Sequence, residues 1–445
     1  MKTKAFLCGL TALSLIAATQ PVWAASMAEE LRDLVNTHPQ VSAGRKNVSS
    51  AEEQVNKAFG GYLPRVDLKG DAGYEYVDNP TRRDTVGDPF GMGRDTASVV
   101  ATQVLYDGGA TASAYEAAKL QKDAVSSDSS ATEQTVLLQG VAAYLNVLRQ
   151  RELINLSRQN EENIKRQLNL ENERVQRGSG IAVDVLQAKS RLQISKERRV
   201  TVEGALKDAV STYEQVYGRK PDMASMRMPG VPLELLPPSL DDAIKIAVAN
   251  NPALESAKKQ SAVASEQRDA AEADYLPRVN LEAAADYEHN KNTVIGVRRD
   301  YSVLVTANWN VFNGFATRAN TARAAYDYAA SQDKQVYVHR KVEEQTKLAW
   351  QALETARQRV NLLQNAVNIA SEVYTSRVKL REAGKETAIN VLDAENEVFN
   401  ARINLTAALF DANMATYQVL QAMGQLSLAN ASSGKGDILA SPVAD

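Results

Sequence analysis

"YLPRVDL" occupies Tyr62 to Leu68, and "YLPRVNL" occupies Tyr275 to Leu281. The second copy lies 213 positions after the first, and the match spreads outward from it. At the same offset His38-Pro39 falls on Asn251-Pro252, Glu53-Gln54 on Glu266-Gln267, and Tyr74-Glu75 on Tyr287-Glu288. Further along the offset becomes 206. "VLYDGGAT" (Val104 to Thr111) then falls on "NVFNGFAT" (Asn310 to Thr317), and "GSGIAVDVLQA" (Gly178 to Ala188) on "GKETAINVLDA" (Gly384 to Ala394). Similarity sustained at one offset marks an internal duplication. The seven-residue change of offset puts extra residues in the first copy, between about 77 and 96, and that stretch reads as an exposed loop tip.

Each copy changes its period along the chain. Val66, Leu68, Gly70, Ala72, Tyr74 and Tyr76 alternate with Arg65, Asp67, Lys69, Asp71 and Glu75. That is a strand with one apolar and one charged face. The second copy repeats it with Val279, Leu281, Ala283, Ala285 and Tyr287 against Arg278, Asn280, Glu282, Asp286 and Glu288. A second strand follows each loop: Tyr301, Val303, Val305, Ala307, Trp309 and Val311 share one face, and 97–106 is the less regular counterpart. Two hairpins, four strands in all, are expected.

The rest reads as helix. Val391, Ala394, Val398, Ala401, Leu405, Ala408, Ala412, Ala415, Val419 and Ala422 follow an unbroken 3,4 spacing, which is a heptad seam. At the 206 offset the same positions run from Val185 to Val216 and stay apolar except at Ser195 and Arg199. A further seam runs through Leu353, Ala356, Val360, Leu363, Val367, Ala370 and Tyr374. The helix over 110–177 spans ~100 Å, and those over about 28–60 and from 184 span ~50 Å each. One long helix therefore matches two short ones end to end. The chain climbs a short helix to a hairpin, returns along a long helix, turns, and climbs to mid-height. The second copy repeats the path after a linker carrying prolines 221, 229, 232, 237 and 238. Both hairpins then share one end, and the turns Gly178–Val183 and Gly384–Ile389 share the other.

The N-terminus carries an address. Lys2 and Lys4 precede the apolar run "AFLCGLTALSLIAA", and "VWA" ends at Ala24. This pattern reads as an export signal cut after Ala24 or Ala25. The single cysteine, Cys8, lies inside it, so no disulfide or thiolate site is expected in the exported chain. The net charge of −3 implies no nucleic-acid partner.

The strands expose an apolar face that helices pointing away cannot cover. Weak alternation of this kind is the signature of a membrane barrel, lipid outside and polar lumen inside. Four strands do not close a barrel, since about eight is the smallest common number. Subunits must therefore pool strands. Tyr62, Tyr74, Tyr76, Tyr275, Tyr287 and Tyr301 suit an interfacial girdle.

With the duplication, the two "YLPRV" strand starts, the "VLYDGGA" and "VFNGFAT" strand exits and the turns before "VDVLQA" and "INVLDA", the chain resembles the TolC family of outer membrane efflux and secretion channels, nearest its type I secretion branch. The resemblance implies an α+β, mostly α fold, internally duplicated. It implies a homotrimer whose outer-membrane β-barrel takes four strands per subunit, 12 in total, continued by a long periplasmic α-helical coiled-coil barrel. The implied layout is a signal peptide (1–24) and a first repeat (25–218) with hairpin 62–107 and helices 110–177 and 184–217. A Pro-rich equatorial linker (219–239) leads to a second repeat (240–424) with hairpin 275–312 and helices 316–380 and 390–424. A disordered tail (425–445) follows. The implied partners are a periplasmic adaptor, an inner-membrane ABC transporter or proton-driven pump, and outer membrane lipid. No cofactor is implied.

Conduction, not bond chemistry, is the activity implied, with a closed gate at the periplasmic tip. Family members carry two aspartates there in a D-V-L-D pattern; this chain has Asn390-Val391-Leu392-Asp393, so only Asp393 matches. Three Asp393 carboxylates around an axis would form a cation-binding ring. Asp184 is expected to bond across to the neighbouring tip helix. The family's latching basic residue is replaced by Glu386, with Lys385 beside it and Arg381 just before. Gly178, Gly180 and Gly384 permit the tight turns an adaptor would grip.

An enzyme does not fit: His38, His289 and His339 show neither metal nor triad spacing, and no nucleotide loop occurs. His38, before Pro39, reads as a structural residue at a helix start. The rival readings are a non-lipidated multidrug efflux factor and a periplasmic adaptor, although an adaptor needs no duplicated strand hairpin.

Overall fold

The computed structural model describes residues 27–432 and 434. The signal segment and most of the tail fall outside them. The first copy runs α1 (Met27–Thr37), α2 (Pro39–Phe59), β1 (Arg65–Val77), α3 (Pro80–Val86), β2 (Phe90–Tyr106), α4 (Ala110–Gln176) and α5 (Ala182–Tyr217). The second runs α6 (Leu240–Asn250), α7 (Pro252–Glu272), β3 (Arg278–His289), β4 (Val297–Asn308), α8 (Ala316–Glu382) and α9 (Ala388–Ala422). A short helix, α10 (Leu428–Ser432), follows.

The repeated dipeptides explain local breaks. The expected helix over about 28–60 is two helices, because Pro39 forces His38 into an extended conformation. His38 then caps α2, accepting from Gln40 N–H at 3.3 Å. Asn251 does the same for α7, accepting from Ala253 N–H at 3.0 Å. In "YLPR" the proline ends the helical turn: Leu63 and Leu276 are extended, at φ −98° and −104°. At the strand exits Asp107 accepts from Thr111 N–H at 2.8 Å and Asn313 from Thr317 N–H at 3.3 Å, so each "D/N-G-x-A-T" starts a long helix.

The four strands form one antiparallel sheet in the order β1-β2-β3-β4, so the β2–β3 pairing joins the two copies. One face carries rows such as Leu68–Val99–Ala285–Tyr301 and Val66–Ala101–Ala283–Val303. Its large side chains are exposed, with Leu68 at 76% and Val303 at 72%. The other face is charged, and Arg94 pairs there with Asp71 at 3.0 Å. β2 starts at Phe90 rather than 97, and α3 occupies the expected loop tip. Alternation fails over the added strand residues because glycines stand opposite tyrosines: Gly91 pairs with Tyr76 and Gly93 with Tyr74. A Cβ on Gly91 would lie 2.5 Å from the Tyr74 hydroxyl. β4 stops at Asn308, and Trp309, expected on the strand, instead donates its indole N–H to Tyr275 O at 3.0 Å.

Below the sheet, α4 pairs with α5 and α8 with α9 along the seams. Val391, Ala394, Val398, Ala408, Ala412, Ala415 and Val419 are buried, as are Val185, Ala188, Leu192, Ala209 and Tyr213. Arg199 enters the seam as a paired charge, 2.7 Å from Glu161 and 2.6 Å from Glu203. The main core lies at mid-height, where α1, the middle of α4 and the ends of α5 and α9 meet. The expected disordered tail is corrected in part: Leu426 and Ala431 are buried in this core, and α10 packs on α1. Their apolar side chains bind this part of the tail to α1. Among the described residues, no helix is long and apolar enough to cross a membrane.

Candidate functional site

The two turns far from the sheet have the same backbone structure. Gly178 and Gly384 sit at φ 74° and 72°, where an L side chain is strained. Ser179 N–H donates to Arg174 O at 3.0 Å, and Lys385 N–H to Leu380 O at 2.9 Å. Each long helix thus ends in a Schellman closure. Gly180 is needed for another reason: a Cβ there would lie 2.7 Å from the Val175 nitrogen. Thr387 caps α9, its hydroxyl accepting from Asn390 N–H at 3.4 Å. Lys385 is exposed at the turn.

Arg381, in the last turn of α8, ties the two turns together. It donates to both carboxylate oxygens of Glu171 on α4, at 3.0 and 2.9 Å. It lies 3.7 Å from the Asp184 carboxylate on α5 and donates to Glu386 O at 2.9 Å. Glu171 is buried and Asp184 half-buried. Glu386 accepts from the Asn390 amide at 2.5 Å and from Thr387 N–H at 2.9 Å. Those bonds, helped by Arg377 and Arg381, hold its carboxyl below the usual range. Asp393 on α9 accepts from Arg191 on α5. Two residues along, Glu395 is buried, and neither carboxylate oxygen has a hydrogen-bond partner. Burial pushes its carboxyl up to about 7, against the pull of Asn163 and Arg166 on α4.

The family model described as "Outer membrane efflux protein" matches the chain twice, over residues 31–219 and 243–428. The chain belongs to the outer membrane efflux protein family. Among the family's relatives, the chain is similar to the outer membrane protein TolC of Vibrio cholerae. The two are 25% identical over 413 residues, 91% of this chain and 92% of that protein. It is also similar to the outer membrane efflux protein BepC of Brucella suis, at 27% identity over 333 residues, 75% of this chain and 72% of that one. The solved structure of the Vibrio cholerae outer membrane protein VceC shares the fold, with a TM-score of 0.77 and 16% identity. That match covers 89% of this chain and 96% of VceC.

As a member of the outer membrane efflux protein family, the chain is an outer membrane channel for export that spans into the periplasm. The turn residues and Arg381 do meet at one end of the helices, and Asp184 does reach another tip helix, α8 of the same chain. Asp393 is not a bare acid, because Arg191 sits on it. Glu386 has two arginines of α8 nearby: Arg377 lies 3.9 Å from its carboxylate, and Arg381 donates to its backbone carbonyl at 2.9 Å. Sequence reasoning missed Glu171, Arg191 and Glu395. The first two sit in charged runs with no distinguishing spacing. Glu395 is adjacent to seam position Ala394, and this was the one available signal.

Proposed function

We propose that three copies of this chain form a channel-tunnel that passes a protein from an inner-membrane ABC transporter and its periplasmic adaptor to the outside in one step. The observation that carries the assembly is the open sheet. Among the described residues β1 and β4 end it without a further strand, and its apolar face is uncovered. Only closure removes such edges in lipid, and three copies supply the 12 strands that close it. An exposed apolar stripe along α8, including Tyr326 at 76%, Tyr337 at 67%, Leu362 at 70% and Ile369 at 64%, supports the same reading. For cargo, support comes from the alkaline protease secretion protein AprF of Pseudomonas aeruginosa, 24% identical over 78% of this chain and 74% of that one.

The gate in this reading is the tip. Three copies bring Asp393, Asn390 and Asp184 around the axis, while Gly178, Gly180, Gly384, Lys385 and Glu386 form the rim an adaptor meets. Detergent-extracted protein should have the mass of three chains. In a planar bilayer it should give a small cation-selective conductance that divalent cations block. Deletion of the gene should remove one or more proteins from the culture medium. Intact secretion with raised sensitivity to toxic small molecules would instead assign the channel to drug efflux, in line with the pyoverdine export protein OpmQ, 25% identical over 80% of this chain.

A further inference from the structure

We infer that Arg299 on β4, with Tyr287 and Tyr301 beside it, binds the phosphate of an anionic lipid in the outer leaflet of the outer membrane, one lipid per chain. The inference rests on the barrel reading and adds a ligand to the barrel's outer wall.

The alternation of the strands assigns each arginine of the sheet to a face. Arg65, Arg94, Arg278 and Arg298 lie on the charged face, and each pairs with a carboxylate, at 2.9, 3.0, 3.6 and 2.8 Å. Arg299 lies on the apolar face, in the row Gly70–Ala97–Tyr287–Arg299, next to the row that ends in Tyr301. It is exposed, and among the described residues no carboxylate pairs with it. The acid that the strands carry on that face, Asp95, is two strands away and already meets His289 at 2.8 Å. Closing the barrel supplies no partner either. β4 then lies beside β1 of the next copy, whose residues on this face are Val66, Leu68, Gly70, Ala72, Tyr74 and Tyr76. None of them is acidic, whatever the register.

Height on the wall decides what this cation meets. The helices extend into the periplasm, so the turn between β3 and β4 is the outer end. Arg299 is ten residues above Trp309, which is 62% exposed just below β4. Ten residues of strand rise ~34 Å, or ~26 Å in height at a tilt of ~40°, and the apolar band of a membrane barrel is about 25 Å tall between its aromatic girdles. Trp309 thus marks the periplasmic interface, and Tyr287 and Tyr301 mark the outer one. Arg299 stands at the headgroups, where a charge on the lipid face is tolerated. Lipid phosphates are the anions found there, and a guanidinium holds a phosphate through two parallel N–H···O bonds. Tyr287, directly across on β3, and Tyr301, two positions along β4, place phenol hydroxyls that donate to the same phosphate.

The test uses the full-length protein, extracted in detergent, stripped of lipid, titrated with bisphosphorylated lipid A and weighed by native mass spectrometry. The three-chain particle should take up one lipid per chain. Arg299→Gln should weaken that binding about tenfold or more and Arg299→Lys by less. Arg298→Gln removes the neighbouring charge from the other face and should bind as the native protein does. Lipid A without its phosphates should bind native protein and Arg299→Gln alike; a difference that survives their removal would overturn the role of phosphate. Excess inorganic phosphate should leave the lipid bound, and displacement by it would overturn the lipid in favour of the free ion. Equal binding of lipid A by native protein and Arg299→Gln, in particles of three-chain mass, would overturn the site and leave the channel standing. A single-chain mass for the native protein would overturn the barrel and the site with it.

Discussion

Arg381 of α8 holds both carboxylate oxygens of Glu171 on α4, 210 residues away in sequence, at 3.0 and 2.9 Å. Glu171 is buried, with its side chain 4% exposed, and Arg174 stands at 3.5 Å. Removing Arg381 therefore leaves that buried carboxylate with Arg174 alone at 3.5 Å, and breaking a buried pair from one side costs about 3 kcal/mol. Arg381→Met should lower the thermal midpoint of the extracted protein and raise single-channel conductance, since the two helical hairpins lose one of their ion-paired ties at the tip. Adding Glu171→Met should recover most of the stability without closing the pore. Unchanged conductance in Arg381→Met would reduce the pair to a purely structural one.

Arg191 donates to Asp393, so a ring of three aspartates would carry three guanidinium groups beside it. Both side chains are well exposed, and the pair contributes about 0–1 kcal/mol to stability. Its effect should appear in ion binding. Arg191→Gln should strengthen the block of conductance by divalent cations, and Asp393→Ala should weaken it, with little change in thermal midpoint for either. Equal block in all three proteins would move the cation site away from position 393.

Glu395 makes stability depend on pH. Its folded carboxyl is raised from the ordinary 4.5 to about 7, because it is buried between α9 and α4. Arg166 and the Asn163 amide face it from α4, and Tyr374 approaches from α8. The folded protein thus holds this proton more tightly than the unfolded chain does. The resulting stability is present below about pH 4.5 and is lost as pH rises through about 7, a change of about 3 kcal/mol. Glu395→Gln should remove that fall. Denaturation of both proteins at pH 5 and pH 8 checks it: the gap should open at pH 8 with the variant more stable.

The tip glycines should separate by mechanism. Gly384→Ala meets open space and carries only left-handed strain, about 1–2 kcal/mol. Gly180→Ala places a methyl group 2.7 Å from a backbone nitrogen, so the turn itself must move. Gly180→Ala should therefore lower the thermal midpoint more than Gly384→Ala and alter conductance, although its backbone angle is ordinary.

What could be read in advance follows from the length scale of each signal. "YLPRV" shows a helix becoming a strand because proline restricts its own neighbour, and that effect needs no distant partner. The seams of α5 and α9 are visible because one apolar position recurs every three or four residues. The strand faces are visible wherever side chains alternate, and they vanish at Gly91 and Gly93, whose places are filled by Tyr76 and Tyr74 from the paired strand. The packed start of the tail was missed for a similar reason. Leu426 is one apolar residue in a polar stretch, and only the core around α1 makes it an anchor.

The sequence by itself determined the duplication, the two strand hairpins, the long helices with their seams and the two glycine turns. Each of these rests on neighbours a few residues apart or on a repeat at a constant offset. Only the tertiary structure decided that Arg381 would meet Glu171 and Asp184, that Arg191 would cover Asp393, and that Glu395 would be buried. Such pairings depend on how far each long helix has rotated when it reaches the tip. That angle is set by packing along many residues of seam, not by the residues that finally meet.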